Sequence, residues 1–257
     1  MIDVNVHLSH WPARRLPFDD APRLVQKLQE SGITQAWTGS FDGLLHKDIA
    51  AVNSRLAAAC ADEGGGLLLP FGSVNPTLPD WQDDVRRCAD VHQMPGLRLH
   101  PNYHGYTLDD PRFSQLLDLA GERGLIVQIA VKMEDERTQH RLLRVDPVET
   151  APLAAQLRSR PRLRVVLLNS LRTLRNDAIS QLAAAGHLYF EISMQEGVGG
   201  LSTLLEHAPL DRVLFGSYFP FFYLESSLLK LRESELAQFQ LDAIGRENAA
   251  RLLNSAA

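Results

Sequence analysis

The chain has 257 residues, 45% apolar and 22% charged, with 26 Lys and Arg against 31 Asp and Glu and a formal net charge of −5. That is the composition of a globular domain, and its mild acidity argues against a nucleic-acid or anionic-membrane role, each of which needs a basic surface. The length allows a core that needs neither disulfides nor a structural metal, and two cysteines cannot build a disulfide framework.

Taken in order, short apolar segments alternate with longer amphipathic ones. Ile2–Leu8 reads as a strand. Ala21–Ser31 reads as a helix, with Leu24, Val25 and Leu28 at helical spacing and a stop at Gly32. Thr34–Ser40 is the next strand, and His46–Glu63 is a helix that runs into Gly64-Gly65-Gly66. After the strand Leu67–Ser73, the helix Pro79–His92 opens near a proline; so does Pro111–Arg123, beyond the strand Gly96–His100. Asp109 and Asp110 supply N-cap material for Pro111–Arg123, and Gly124 closes it. Cys60 and Cys88 lie on two of these helices and read as buried, reduced thiols. The strands Leu125–Val131, Arg164–Ser170, Leu188–Met194 and Arg212–Ser217 then alternate with the helices Ala151–Ser159, Leu174–Ala185, Gly200–Ala208 and a helical run from Leu224 to Asn254.

Strand starts fall roughly 24 to 39 residues apart, which is one strand, one helix and two loops per unit. Strict alternation implies a parallel sheet with helices outside. Eight such units predict a single-domain (β/α)8 TIM barrel over residues 1–257, and no G-x-G-x-x-G turn follows the first strand to favour an open dinucleotide-binding sheet. The opening residues lack the basic and apolar regions of a leader, and no apolar run reaches the ~18 residues of a membrane span. The expected compartment is therefore reducing and cytoplasmic, with no membrane and no nucleic acid as partner.

Side chains alternate along a strand, so polar residues between apolar ones mark the face toward the barrel axis. In the first strand Ile2, Val4, Val6 and Leu8 are expected against the helices, which leaves Asp3, Asn5 and His7 inside. By the same alternation Arg98 and His100, Gln128, Glu191 and Tyr218 point inward, and Asn169 ends a strand that is apolar on both faces. These residues converge on the C-terminal rim, the face that carries the active site in enzymes of this fold, and individual members read either as part of a site or as a hydrogen-bonded polar plug.

At this point the chain resembles the amidohydrolase superfamily, in the branch of amidohydrolase-2 and aminocarboxymuconate-semialdehyde decarboxylase. The resemblance rests on Ile2-Asp-Val-Asn-Val-His7, on Gly96-Leu-Arg-Leu-His100-Pro-Asn-Tyr-His104-Gly-Tyr, on Val213-Leu-Phe-Gly-Ser-Tyr218-Phe-Pro220, and on Asn248-Ala-Ala-Arg-Leu-Leu253. It implies one or two zinc or manganese ions held by His-x-His on strand one, a His on each of strands five and six, and an Asp on strand eight. Carried over, those positions fall on Asn5 and His7, on or near Ala130, on Asn169 and on Tyr218. One ligand of five cannot hold zinc in the usual geometry, so no metal and no cofactor are expected.

The residues then suggest His7, His100 and Tyr218 as a catalytic set, with the two imidazoles as acid and base. Asn5, Arg98, His104, Arg137, Asn169, Glu191 and Phe219 form the substrate-binding set, in which Arg98 stabilises an anion and Asn5, Asn169 and Tyr218 orient it. Arg137 and His140 lie in a charged loop that reads either as a solvated surface loop or as a substrate cap, and the loop after the first strand is expected to cross the mouth, with Arg14 or Arg15 gripping an anion or with Trp11 anchoring a plain surface loop. Of the aromatic run Tyr218–Tyr223, Tyr218 and Phe219 are expected in the pocket and the rest in an interface or core. Three functions follow. One is metal-free hydrolysis of a small anionic lactone or ester. A second is a catalytically silent barrel that binds a metabolite or a protein partner. The third is a metal hydrolase with relocated ligands. A homodimer is common for this architecture.

Overall fold

Every short apolar segment read as a strand overlaps a strand in the computed structural model, which describes residues 1–255. β1 is Ile2–Leu8, β2 Gln35–Ser40, β3 Leu68–Ser73, β4 Gly96–Leu99, β5 Ile126–Ala130, β6 Arg164–Leu168, β7 His187–Glu191 and β8 Val213–Leu214. Each pairs in parallel with the next in chain order. The ring closes through backbone bonds from Val4 N–H to the Phe215 carbonyl (3.0 Å) and from His7 N–H to the Phe219 carbonyl (2.9 Å). The fold is the expected (β/α)8 barrel.

The helices begin where the caps put them. α1 (Ala21–Glu30) is capped by Asp20, whose side chain accepts from Arg23 N–H, and ends before Gly32 at φ +79°. α2 (Ile49–Asp62) is capped by Asp48 and starts three residues later than expected, after a tight 3₁₀ turn over Phe41–Leu44. α3 (Trp81–Arg86) widens into a π turn over Arg87–Val91, and the short α4 (Pro101–His104) follows β4 directly. α5 (Pro111–Glu122), α6 (Leu153–Arg158), α7 (Asn176–Ala185) and α8 (Gly200–His207) complete the outer layer. The C-terminal run is not one helix. α9 (Leu224–Arg232) stops where the Ser234 hydroxyl bonds the Leu231 carbonyl, and α10 (Gln238–Asp242) restarts with Ala237 N–H held by the Gln240 side chain; α11 (Asn248–Asn254) follows. Cys60 and Cys88 are both buried and unpaired. Among the described residues no helix is long and apolar enough to cross a membrane.

The core has three apolar parts. The outer one packs Val6, Leu97, Ile129, Leu167, Phe190 and Val213 of the strands against Leu24, Leu28, Leu116, Leu157 and Leu182 of the helices. A second lies inside the barrel at its base, where Ile2, Val4, Trp37, Phe71, Val166 and Leu214 meet Ala249 and Leu252 of α11. This corrects the expected facing of Ile2 and Val4: the β1 register slips between Asp3 and Val6, so alternation breaks there and both side chains turn inward. The third part, described below, covers the top. Between base and top lies a layer of buried polar side chains.

Candidate functional site

The polar layer brings together most of the residues singled out in the sequence. Asn5, His7, Arg98, Asn169, Glu191 and Tyr218 have no solvent exposure. The Asn5 amide donates to Asn169 Oδ1 (2.8 Å) and Glu191 Oε1 (3.2 Å). Glu191 also accepts from Asn169 N–H (2.6 Å), Ser193 N–H (2.6 Å) and the Ser193 hydroxyl (2.7 Å). Asn169 sits at φ +56°, a left-handed conformation that Asn tolerates, and this turn out of β6 aims its N–H at Glu191. Gly216 of the closing segment leaves room for that carboxyl group; a methyl there would overlap it. Asp3 accepts from Asn5 N–H (3.0 Å), Ser217 N–H (3.0 Å) and the Ser217 hydroxyl (2.5 Å). Burial pushes its carboxyl group up from 3.8 to about 7, against those hydrogen bonds and with a further upward push from Glu191.

Arg98 crosses the axis. Its Nε donates to Gln128 Oε1 (2.7 Å), its Nη1 to the Val6 carbonyl (2.6 Å), and its Nη2 to the Trp37 (2.9 Å) and Val4 (3.3 Å) carbonyls. Nη1 lies 3.1 Å from His7 Nε2 and 3.3 Å from Nδ1. Gly39 makes the crossing fit, since a Cβ there would stand 2.6 Å from Arg98 Cδ. Burial lowers the guanidinium to about 9, which leaves it charged at neutral pH. Burial, the Arg98 charge and His100 hold His7 well below the usual histidine range, so its ring is neutral.

Above this layer the mouth is filled. The His7 ring stacks on Phe41 (centroids 4.4 Å apart, 7° between planes) and meets Tyr218 edge-on. Trp11 stands on Phe41 and Phe221, and Phe221 stacks on Tyr218. Leu16, Leu44, Met133 and Met194 complete this cover. The Tyr218 hydroxyl donates to the Met133 carbonyl (2.7 Å), and burial drives its pKa well above 10. Trp11 was legible as a residue crossing the mouth. Phe41, Met133 and Met194 were missed, because an apolar residue just past a strand end reads like any other core residue.

The other expected site residues are placed differently. His100 is buried at the end of β4 with both ring nitrogens unpartnered, and burial followed by His104 and Arg98 holds it well below the usual range. His104 turns toward the Gly43 carbonyl, 2.8 Å from Nε2. Arg137 is not brought to the mouth: it lies exposed and binds Asp135 of its own loop, while Met133 and Glu134 at the loop's start reach the cover. Phe219 packs in the outer core against Phe18 and, with it, borders a cavity beside the mouth, and Phe221, expected in an interface or core, roofs the axis instead. Arg98, expected to hold a substrate anion, has its donors committed to the barrel itself.

Beside the cover, between the β1–α1 loop and the segment after β8, is a cavity of about 440 Å³. Phe18, Phe219, Phe221 and Tyr223 form its apolar part, and Arg14, Arg15, Lys27 and Glu225 its margin. Arg14 lies over the Phe221 ring and gives one N–H to the buried Glu134 (2.6 Å). Arg15 pairs with the buried Asp19 (2.8 Å).

The amidohydrolase family profile matches residues 2–254. Among curated proteins, none matches. Solved structures share the fold at low identity. A 2,6-dihydroxybenzoate decarboxylase from Rhizobium is 16% identical, with 98% of this chain and 99% of that chain covered and a TM-score of 0.74. A dihydroxybenzoic acid decarboxylase from Polaromonas sp. JS666, with bound manganese and the inhibitor 2-nitroresorcinol, is 15% identical over 98% and 96%, with a TM-score of 0.73. A 5-carboxyvanillate decarboxylase from Sphingomonas paucimobilis is 13% identical over 99% and 98%, with a TM-score of 0.73.

The residues around His7 do not fit a divalent ion of the kind the Polaromonas protein carries. Among the described residues no three His, Cys, Asp or Glu side chains gather closely enough to hold a metal. The Asn5 amide oxygen, although unpartnered, and the Tyr218 hydroxyl, which gives its proton to the Met133 carbonyl, are neutral and weak donors for a divalent ion beside a single imidazole. Arg98 adds a fixed charge beside His7. Two unit charges 4 Å apart repel by about 4 kcal/mol at an effective dielectric near 20, and a divalent ion by about twice that.

Proposed function

The chain belongs to the amidohydrolase family, and from that premise we propose that it binds a small anionic molecule at the C-terminal face of its barrel, without a divalent metal and without turnover at His7. The observation that carries this reading is the closed axis. His7, Arg98 and Tyr218 are wholly buried, with His7 against the Arg98 guanidinium and edge-on to Tyr218, and are roofed by Phe41, Trp11 and Phe221. A cavity beside the roof offers aromatic walls and guanidinium groups to a ligand. A flat ring suits its aromatic part, and Arg14 and Arg15 retain N–H groups beyond those given to Glu134 and Asp19. The neighbours' names point to the same class, since 2,6-dihydroxybenzoate and 5-carboxyvanillate are aromatic acids.

Titration with 2,6-dihydroxybenzoate, followed by tryptophan fluorescence and thermal shift, tests the reading. Trp11 touches Phe221 on the cavity wall, so binding should give a saturable fluorescence change and a raised Tm. Tyr223→Ala, on an exposed side chain, should weaken the response about tenfold. Neither decarboxylation nor hydrolysis across a panel of aromatic acids, lactones and esters is expected. A flat titration up to millimolar acid, or full affinity in Tyr223→Ala, would sink the reading.

One observation favours metal-free lactone or ester hydrolysis instead. His100 keeps both ring nitrogens unpartnered in a buried position at the strand end, which costs free energy unless a ligand or water meets them. Turnover of a lactone or ester that His100→Asn abolishes would establish that second reading.

A further inference from the structure

We propose that the guanidinium of Arg98 is the resident cation of this barrel, fixed on the axis beside His7, and that it excludes a divalent metal ion from that imidazole. The surroundings of Arg98 are those of a cation site that is already full. Four oxygens from three strands receive its N–H groups: the Val4 and Val6 carbonyls of β1, the Trp37 carbonyl of β2 and the Gln128 amide oxygen of β5. No part of the side chain reaches solvent. The Asp3 and Glu191 carboxyl groups act on it from the same polar layer and favour its charged form. Gly39 gives up a side chain where Arg98 passes, so the backbone is shaped to the arginine. His7 has both ring nitrogens within 3.3 Å of Nη1, and its other side is closed by the Phe41 ring. A metal ion approaching His7 would have to displace a charge that is covalently tethered and bonded on all sides. A buried guanidinium keeps its charge, its planar fork and its place without any supply from solution.

The proposal goes beyond ligand binding at the rim and can fail separately from it. The full chain, expressed in medium supplemented with zinc and manganese, is assayed for bound metal, and its Tm is recorded before and after dialysis against EDTA and after each ion is restored. Well under one ion per chain and an unchanged Tm are expected. Arg98→Gln removes the charge and leaves the buried carboxyl groups and carbonyls without it, and should lower Tm by about 10 °C. Arg98→Lys returns the charge without the fork and should lose less. One ion per chain, removed by EDTA with a fall in Tm, overturns the proposal even where the rim cavity binds its acid. So does Arg98→Gln with the wild-type Tm. If Arg98→Gln does not fold, the metal content and EDTA series of the wild-type chain still decide.

Discussion

Asp3 shows what burial does to a single side chain in this barrel. Its carboxyl group, raised from 3.8 to about 7, faces Ser217, Asn5, Glu191 and Arg98. Between those two pH values the folded chain holds a proton that the unfolded chain releases. Stability therefore falls as pH rises through the window, by up to about 4 kcal/mol at 1.4 kcal/mol per unit. Asn at this position keeps an oxygen for the Asn5 and Ser217 N–H groups, and its amide N–H can meet the Ser217 hydroxyl. Urea midpoints measured from about pH 5 to about pH 8 should fall for the wild type relative to Asp3→Asn; parallel curves would show that Asp3 does not carry the proton. The sequence made the polar layer legible because Asn5, His7, Arg98, Asn169 and Glu191 interrupt otherwise apolar strands. It did not show that these groups would satisfy one another. The contacts among those five residues join positions 22 to 186 residues apart, and no local pattern encodes such pairing.

Elements were legible wherever local chemistry decides. Asp110 caps the helix it was expected to cap, and short apolar runs between amphipathic segments located all eight strands; Asp48 caps its helix from inside the expected span His46–Glu63, and Asp20 caps the first helix without having been read as a cap. Alternation failed in β1, where one register slip moves Ile2 and Val4 from the expected outer face to the inner base. A slip of this kind depends on the neighbouring strands, so the β1 sequence alone carries no sign of it. Its consequence is an apolar floor that needs a cover, and α11 supplies one. Leu252 is 1% exposed against Ile2, Val4 and Leu214, and its carbonyl accepts from Arg164 Nη1 (2.6 Å). Leu252→Ala leaves a void that rigid strands cannot close, and should cost about 2–5 kcal/mol. Urea unfolding reads this directly. A loss below about 1 kcal/mol would mean that α11 lies on the barrel without sealing it.

Across the whole molecule the barrel is sealed at both ends, by α11 below and by the aromatic cover above, while its longest connection stays outside. From the end of β5 at Ala130 to the start of α6 at Leu153 the chain forms neither strand nor helix. Near its start Met133 packs in the cover, and Glu134 is buried beside it with Arg14. Val148 returns to bond the Val131 carbonyl (2.8 Å). Between these anchors the Gln139 side chain bonds both the N–H and the carbonyl of Val145, and the segment touches the rest of the barrel at Asp135, paired with Arg172 (3.4 Å), and at the Asp146 carbonyl, which accepts from the Asn102 amide. Arg141 and Leu142 stand at its outer edge, Leu142 with 84% of its surface exposed. A loop whose ends are pinned and whose tip makes no core contact is cut without unravelling the fold. Trypsin should therefore cleave first after Arg141 or Arg144, giving two fragments that stay associated and keep a Tm within a few degrees of the intact chain, because neither the strand ladder nor the polar layer passes through the tip. Co-elution on a sizing column and a thermal melt check this. Dissociation, or a collapse of the melt, would show that the segment holds the cover in place and that the mouth depends on it.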